Sequence, residues 1–269
     1  MCLWRLLPLA SNSTGVPGSV HDSEHVSTRL AHTREMAPSR TAIDKAGAAL
    51  RKMARNPTDV TGAEYEAARA IAEEYRSTFH RPTVSVNSGL RWILASEGIA
   101  NPWVTQRIKR MPRIESKLLR VSTRLSQMQD IGGCRVVVSS SGEVDAVAAR
   151  INDAWAVAAD DDYRDTPRST GYRALHLIVR RSDRLIEVQL RTSGQHRWAQ
   201  AVEALEDLTG VAYKDGAGEQ VLHDFLVMTS ERIAVEEAGG SLSLEWRTRY
   251  YRVRDNLPSW EARGGRNDD

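Results

Sequence analysis

The stretch Asp130 to Val138, Asp-Ile-Gly-Gly-Cys-Arg-Val-Val-Val, constrains this chain more than any other. An acid and an arginine bracket a glycine pair, and a β-branched run follows, the pattern of a buried strand whose head carries polar groups. A second such stretch runs from Ser169 to Thr192 and reads as a hairpin around a short Ser-Asp turn. Its alternation sets Glu187, Gln189 and Arg191 on one face and Ile186, Val188 and Leu190 on the other. Asp130 and Glu187 would then sit on strands able to neighbour one another. Paired carboxylates of this kind suit Mg²⁺ held together with substrate phosphates. Arg107, Lys109, Lys117, Arg135, Arg173 and Arg191 supply an excess of cations suited to a polyanion. The competing reading is a solvated sheet face laced with salt bridges. It accounts for any one of these residues more easily than for the set.

Composition matters here mainly for what it excludes. The 269 residues are 41% hydrophobic and 27% charged, as in a soluble globular protein with room for one good core and a helical annex. A formal net charge of +2 does not mark a general nucleic-acid binder, so any basic surface must be local. Cys2 and Cys134 support neither a disulfide framework nor a metal site, and a reducing cytoplasm fits them. No apolar run approaches the ~20 residues that span a bilayer, so no membrane is expected. Met1 to Ala10 is apolar, but Arg5 and Pro8 break it and no convincing cleavage site follows.

Residues 1–40 have the composition of a disordered arm. Helical spacing follows over Thr41 to Ala54 and Gly62 to Phe79, with a capping box at Thr61 and Glu64. Pro82 is expected to interrupt before a third helix, Val84 to Glu97, whose Trp92 and Ile93 read as core. Gln106 to Arg120 carries six cations and one acid, the density of a solvated helix face, a nucleic-acid patch or a phosphate clamp. The downstream carboxylates favour the clamp. Beyond the Asp130 strand come a helix over Glu143 to Ala154, an acid-rich loop over Asp160 to Arg168 and the hairpin. Helices over Gln195 to Asp207, closed by Thr209-Gly210, and over Val221 to Ala238 follow, then an ambiguous segment from Ser241 to Arg254 and a frayed end. This divides the chain into an arm (1–40), N-terminal helices (41–84), a central domain (85–210) and a C-terminal helical extension (211–269), with an α+β core.

Four motifs now stand in order: Arg107-Ile-Lys109 with Lys117, Asp130-Ile-Gly-Gly-Cys-Arg135, Gly171-Tyr172-Arg173-Ala-Leu-His176, and Glu187-Val-Gln189-Leu-Arg191-Thr192. Together they resemble the RelA/SpoT-type synthetase domain, over about residues 85 to 210. The resemblance implies a nucleotidyltransferase-like α+β fold, a mixed and mostly antiparallel five-stranded sheet surrounded by helices. It implies transfer of the β,γ-pyrophosphate of ATP to a ribose 3′-hydroxyl. Asp130 and Glu187 are similar to the Mg²⁺ ligands, and Arg107, Lys109, Lys117 and Arg135 to the cations around ATP. By the same resemblance Tyr172 stacks on the acceptor base, with Arg173, His176, Gln189 and Arg191 around the acceptor. Such a transfer needs positioning and charge neutralisation more than covalent catalysis. Where the family usually has a small hydroxyl residue, six positions after Arg107, this chain has Arg113.

The resemblance leaves the acceptor open. Within the family, alarmone synthetases act on GDP or GTP, and toxic relatives pyrophosphorylate the 3′ end of tRNA and are held by a neutralising antitoxin. Arg110, Arg113, Arg120 and the run Arg247, Arg249, Arg252, Arg254 favour tRNA. The near-neutral net charge and the intact Tyr172 motif favour the free nucleotide, the leading expectation. A non-catalytic nucleotide- or RNA-binding module is the alternative from another class. The family admits homo-oligomers, and this sequence does not fix an oligomeric state.

Overall fold

A computed structural model describes residues 38–258; the expected arm falls almost wholly outside them, as do Cys2, the apolar Met1 to Ala10 and all but Pro258 of the expected frayed end. Three helices come first: α1 (Arg40–Arg55), α2 (Gly62–Ser77) and α3 (His80–Ser96). Then follow β1 (Trp103–Ile108), α4 (Met111–Arg120), β2 (Gly132–Val138), α5 (Ser141–Ala154) and β3 (Val157–Asp162). The hairpin β4 (Leu175–Arg181) and β5 (Arg184–Thr192) leads into α6 (Ser193–Thr209), α7 (Gln220–Glu237) and α8 (Leu244–Asp255).

The five strands form one sheet in the order β1-β2-β5-β4-β3. Among the described residues only β2 and β5 pair in parallel; every other neighbour is antiparallel. The fold is therefore α+β with a mixed, mostly antiparallel sheet flanked by helices.

Period-two alternation decides what each face of the sheet does. Cys134, Val136, Val138, Ile186, Val188, Leu190, Leu175, Leu177 and Val179 point into the main core. There they meet Phe79, Val86, Leu90 and Ile93 around α3 and Val144, Val147 and Ile151 of α5, and the core continues through α1, α2 and α4. Burial of this order contributes about 1.5–3 kcal/mol for each large aliphatic side chain. The opposite face carries Arg107, Arg135, Glu187, Gln189 and Arg191 and is partly covered by α6.

Local signals account for most boundaries. Thr61 and Glu64 make both hydrogen bonds of the capping box. Gly210 ends α6 in the left-handed region at φ 70°. Ser182 and Asp183, at φ 47° and 60°, form the hairpin turn, the two-residue geometry whose twist matches that of paired strands.

Three expectations change. Pro82 lies in the first turn of α3, where its missing N–H would have had no intrahelical partner, so the helix starts at His80. Trp92 is 62% exposed: the buried stripe of α3 is Pro82, Thr83, Val86, Leu90, Ile93 and Leu94, and Trp92 faces away, beneath the Arg150 guanidinium. The basic stretch Gln106 to Arg120, for which no single element was expected, divides between the end of β1 and α4, separated at Arg110 with Pro112 in the first turn. Asp160 to Asp162 belong to β3 and pair with β4 instead of looping; as exposed acids on an edge strand they discourage further pairing.

Asp183→Gly should stabilise the protein by about 0.5–1 kcal/mol, because glycine enters the left-handed region without the steric penalty Asp183 bears. Urea unfolding of both proteins checks this: an unchanged or lower midpoint contradicts the turn geometry.

Candidate functional site

The parallel register of β2 on β5 sets Gly133 opposite Glu187, Arg135 opposite Gln189 and Val137 opposite Arg191. β1 adds Arg107 opposite Gly133, and β4 brings His176 opposite Gln189. Because Gly133 has no side chain, the surface between Arg107 and Glu187 stays open. A shallow cavity of about 130 Å³ lies there, lined by Arg107, Gly133, Arg135, Glu187, Gln189 and Glu203 among others.

Asp130 precedes β2 in the turn that enters it. Its Oδ2 takes two ammonium groups, Lys109 Nζ at 2.6 Å and Lys117 Nζ at 2.8 Å. Burial pushes the Asp130 carboxyl up, but the two lysines outweigh it and hold the group below the usual carboxylate range. Lys109 is brought in at the end of β1, where its amide donates to Ile131 O at 2.8 Å. Lys117 comes from α4, anchored in the core by Met111, Ile114 and Leu118.

Glu187 is held by a relay of side chains. The arrangement satisfied throughout has Arg191 Nη2 donating to the Tyr172 hydroxyl (2.7 Å), which donates to His176 Nε2 (2.6 Å), while His176 Nδ1 donates to Glu187 Oε1 (3.1 Å). Gln189 Nε2 donates to Glu187 Oε2 at 2.8 Å, and Gln189 Oε1 accepts from Arg191 Nη2 at 3.0 Å and Arg135 Nε at 3.4 Å. Burial raises the Glu187 carboxyl and nearby Asp130 adds to that, yet His176 and Gln189 prevail and the group stays ionised, below its usual range. Arg135 is lowered by burial and then by the neighbouring Arg191. The site thus carries two ionised acids in a cationic surround.

Among the described residues no group of three or more His, Cys, Asp or Glu could enclose a metal. Asp130 Oδ1 is buried without a hydrogen-bond partner, however. Two carboxylates with an unengaged oxygen fit an ion such as Mg²⁺, which completes its shell with water and substrate phosphate oxygens.

The structure brings Arg107, Lys109, Lys117, Asp130, Arg135, Tyr172, His176, Glu187, Gln189 and Arg191 to one face of the sheet. Arg173 does not join them: its Nε donates to Ser230 Oγ of α7 at 3.2 Å and its Nη1 to the Arg164 carbonyl. Tyr172 is half-buried, with the Arg191 guanidinium 5.0 Å and the Arg168 guanidinium 5.6 Å from its ring centre. Gly171, at φ 90°, lets this loop approach α7, where a Cβ would lie 3.0 Å from Val227 Cα. Arg113 is exposed on α4.

Two residues of this face escape the motif reading. His196, in the first turn of α6, is buried against Trp103 with both ring nitrogens unpartnered; burial, then Arg135 and Arg191, lower it to about 4, so it is neutral at pH 7. Glu203, seven residues on and so on the same helix face, lines the cavity and pairs with Lys214 at 3.0 Å. That spacing was the available signal.

Asp130→Asn would leave Lys109 and Lys117 together without their acid and should destabilise the fold by about 1–2 kcal/mol at pH 7. Because the Asp130 carboxyl is depressed in the folded protein, the pair's contribution is present above the ordinary carboxylate range near pH 4 and is lost as pH falls through the lower folded value. The difference between variant and wild type should therefore close towards pH 3 in denaturant unfolding. A difference of equal size at both pH values contradicts the pairing.

Residues 106–215 match the family profile described as "Region found in RelA / SpoT proteins". A probable chloroplast GTP diphosphokinase of Arabidopsis thaliana is 28% identical over 110 residues, 40% of this chain but only 16% of that protein's length. Among solved structures, a GTP pyrophosphokinase family protein from Streptococcus pneumoniae is 25% identical with a TM-score of 0.53, covering 69% of this chain and 98% of that one. Small alarmone synthetase 1 from Bacillus subtilis, bound to its product pppGpp, is 23% identical with a TM-score of 0.50, covering 61% of this chain and 90% of that one. The match spans the residues that build the sheet's polar face, so it is this part of the chain that resembles the region found in RelA / SpoT proteins.

Proposed function

We propose that this protein is an ATP-dependent pyrophosphokinase that transfers the β,γ-pyrophosphate of ATP to the 3′-hydroxyl of GDP or GTP. One observation carries the reading: two ionised carboxylates, Asp130 and Glu187, stand among Lys109, Lys117, Arg107 and Arg135 on an open sheet face. The likeness to GTP diphosphokinases and pyrophosphokinases, and the product bound by the Bacillus subtilis enzyme, support the same chemistry.

Asp130 and Glu187 are the residues that would hold Mg²⁺, which when bound neutralises charge on the transferring phosphates. Lys109 and Lys117 exchange the Asp130 carboxylate for phosphate oxygens as ATP arrives, which keeps them close to the developing charge. Arg107 and Arg135 flank the same oxygens, and guanidinium groups match phosphate geometry in pairs. The Arg191-Tyr172-His176-Glu187 relay fixes the orientation of Glu187 and couples it to the acceptor side. Tyr172 is the stacking surface for the acceptor base, with Gln189, His176 and Arg191 beneath it. Glu187 engaged with a metal is a poor base, so its main role is to orient rather than to take the 3′-hydroxyl proton. Arg173 serves the acceptor indirectly, by fastening the Tyr172 loop to α7.

Purified protein with [γ-³²P]ATP and Mg²⁺, offered GDP, GTP and deacylated tRNA in parallel, should label the guanine nucleotides. Glu187→Gln should lower transfer by roughly a thousandfold. Tyr172→Ala should raise the acceptor KM by about tenfold or more while leaving that for ATP within a factor of about two, as expected for loss of one stacked base. Label on tRNA alone would reassign the acceptor to the toxic branch of the family. Absence of Glu187-dependent label on all three acceptors would exclude the enzyme reading and leave a nucleotide-binding module.

A further inference from the structure

The α7–α8 hairpin lies outside the matched residues 106–215, and the chemistry proposed above makes no use of the cavity it encloses. That cavity has a volume of about 320 Å³, the lower end of the range typical of small-ligand sites. Its walls include Arg232 and Glu236 from α7 and Trp246, Arg247, Tyr250 and Tyr251 from α8.

Two features of these walls point to a ligand. The first is a column of rings: Trp246 stacks on Tyr250 with centroids 5.3 Å apart and 12° between planes, and Phe225 extends it at 5.5 Å and 30°. Tyr250 is buried and fixes the column in the hairpin, whereas Trp246 is half-buried and Tyr251 remains 49% exposed. The second is positive charge, one guanidinium in an i,i+4 ion pair and one without an ion pair among the described residues. Arg232 lies over Tyr250, 5.5 Å from its ring centre, and its Nε is buried with no hydrogen-bond partner. The nearest carboxylate oxygen, Glu236 Oε1, is 3.8 Å away, too far for a hydrogen bond. Arg247 is exposed and makes no ion pair among the described residues. Of the charged side chains lining the cavity, Arg232 and Arg247 are cations and Glu236 is an acid, while Glu231 lies beside it and accepts from Trp246 Nε1.

A purely apolar ligand would make no use of the exposed Arg247 guanidinium, and a bare anion would make no use of the rings. A planar aromatic group bearing a phosphate satisfies both. We propose that the α7–α8 cavity is a second nucleotide-binding site, separate from the sheet face, with the base against Trp246 and Tyr251 and the phosphate on Arg232 and Arg247. The same chemistry is offered by a free nucleotide and by one residue of a single-stranded RNA. Base stacking with guanidinium contacts to the backbone serves both.

The test is binding to the full chain with no second substrate present, so that no transfer occurs. Equilibrium dialysis with labelled GDP and, separately, labelled ATP measures free nucleotides; fluorescence anisotropy with a labelled hexaribonucleotide measures RNA. Trp246→Leu, Arg232→Gln and the exposed change Arg247→Glu, which leaves the ring column untouched, are compared with Tyr172→Ala. A class of sites weakened about tenfold or more by Arg247→Glu and Arg232→Gln, and unaffected by Tyr172→Ala, is the expected result. That class would survive even if the transfer activity did not, so the two proposals fail separately. Mononucleotide binding with this sensitivity assigns a free nucleotide, and hexamer binding alone with the same sensitivity assigns an RNA strand. Binding of either ligand unchanged by both arginine substitutions, or no binding outside the Tyr172-dependent class, overturns the proposal.

Discussion

The parallel pairing of β2 with β5 is the constraint from which the site follows. A slip of one residue in this register would turn Arg135 or Glu187 into the main core and expose the valines between them. The core prevents it: Cys134, Val136 and Val138 on one strand and Ile186, Val188 and Leu190 on the other are all buried on the same side. Apolar packing on one face thus fixes to within one residue where the charges stand on the other. Gly132 tightens the arrangement, since a Cβ there would meet Thr83 Oγ1 at 2.5 Å and Ile186 Cδ1 at 2.8 Å. The Cys134 thiol, pushed up to about 12 by burial, belongs to this packing and not to the chemistry of the other face.

Electrostatic order on the polar face has two centres of different kinds. Asp130 is compensated by full charges, two ammonium groups on one oxygen, so the proposed binding of a polyanion would compete for the lysines and not for the carboxylate. Glu187 is compensated by hydrogen bonds from His176 and Gln189, themselves fixed by Tyr172 and Arg191. The first centre suits exchange on binding and the second suits rigid positioning. The proposed transfer requires both, because charge must be neutralised without the reacting groups drifting.

The C-terminal helices are more than a cover. α6 and α7 build a small core of their own around Trp198, Val202, Leu222 and Leu226, and Tyr172 packs against it. Trp198 Nε1 donates to Leu226 O at 2.9 Å, and Glu237 takes Thr192 Oγ1 at 2.9 Å and Gly194 N at 3.1 Å. The start of α6 and the Tyr172 loop are therefore fastened to one helix, α7. Ser230 and Glu231 are adjacent on it; the first holds Arg173 and the second accepts from Trp246 Nε1 at 3.1 Å.

The sequence by itself determined the strand after Asp130, the hairpin with its two faces and the capped helices, and it singled out most of the charged residues that share one face of the sheet. These are local signals, set by periodicity, caps and turn residues within a few positions of one another. It also suggested that Asp130 and Glu187 approach one another, because both strands read as scaffolds carrying polar groups. Only the tertiary structure decided that Trp92 faces outward, that the acids of β3 lie on an edge, and that Arg173 turns to α7 while His196 and Glu203 join the polar face. Each of these depends on which neighbour covers a residue, and the neighbours come from segments tens of residues away. Spacing along a chain sets the face a side chain occupies; long-range packing sets what stands against it.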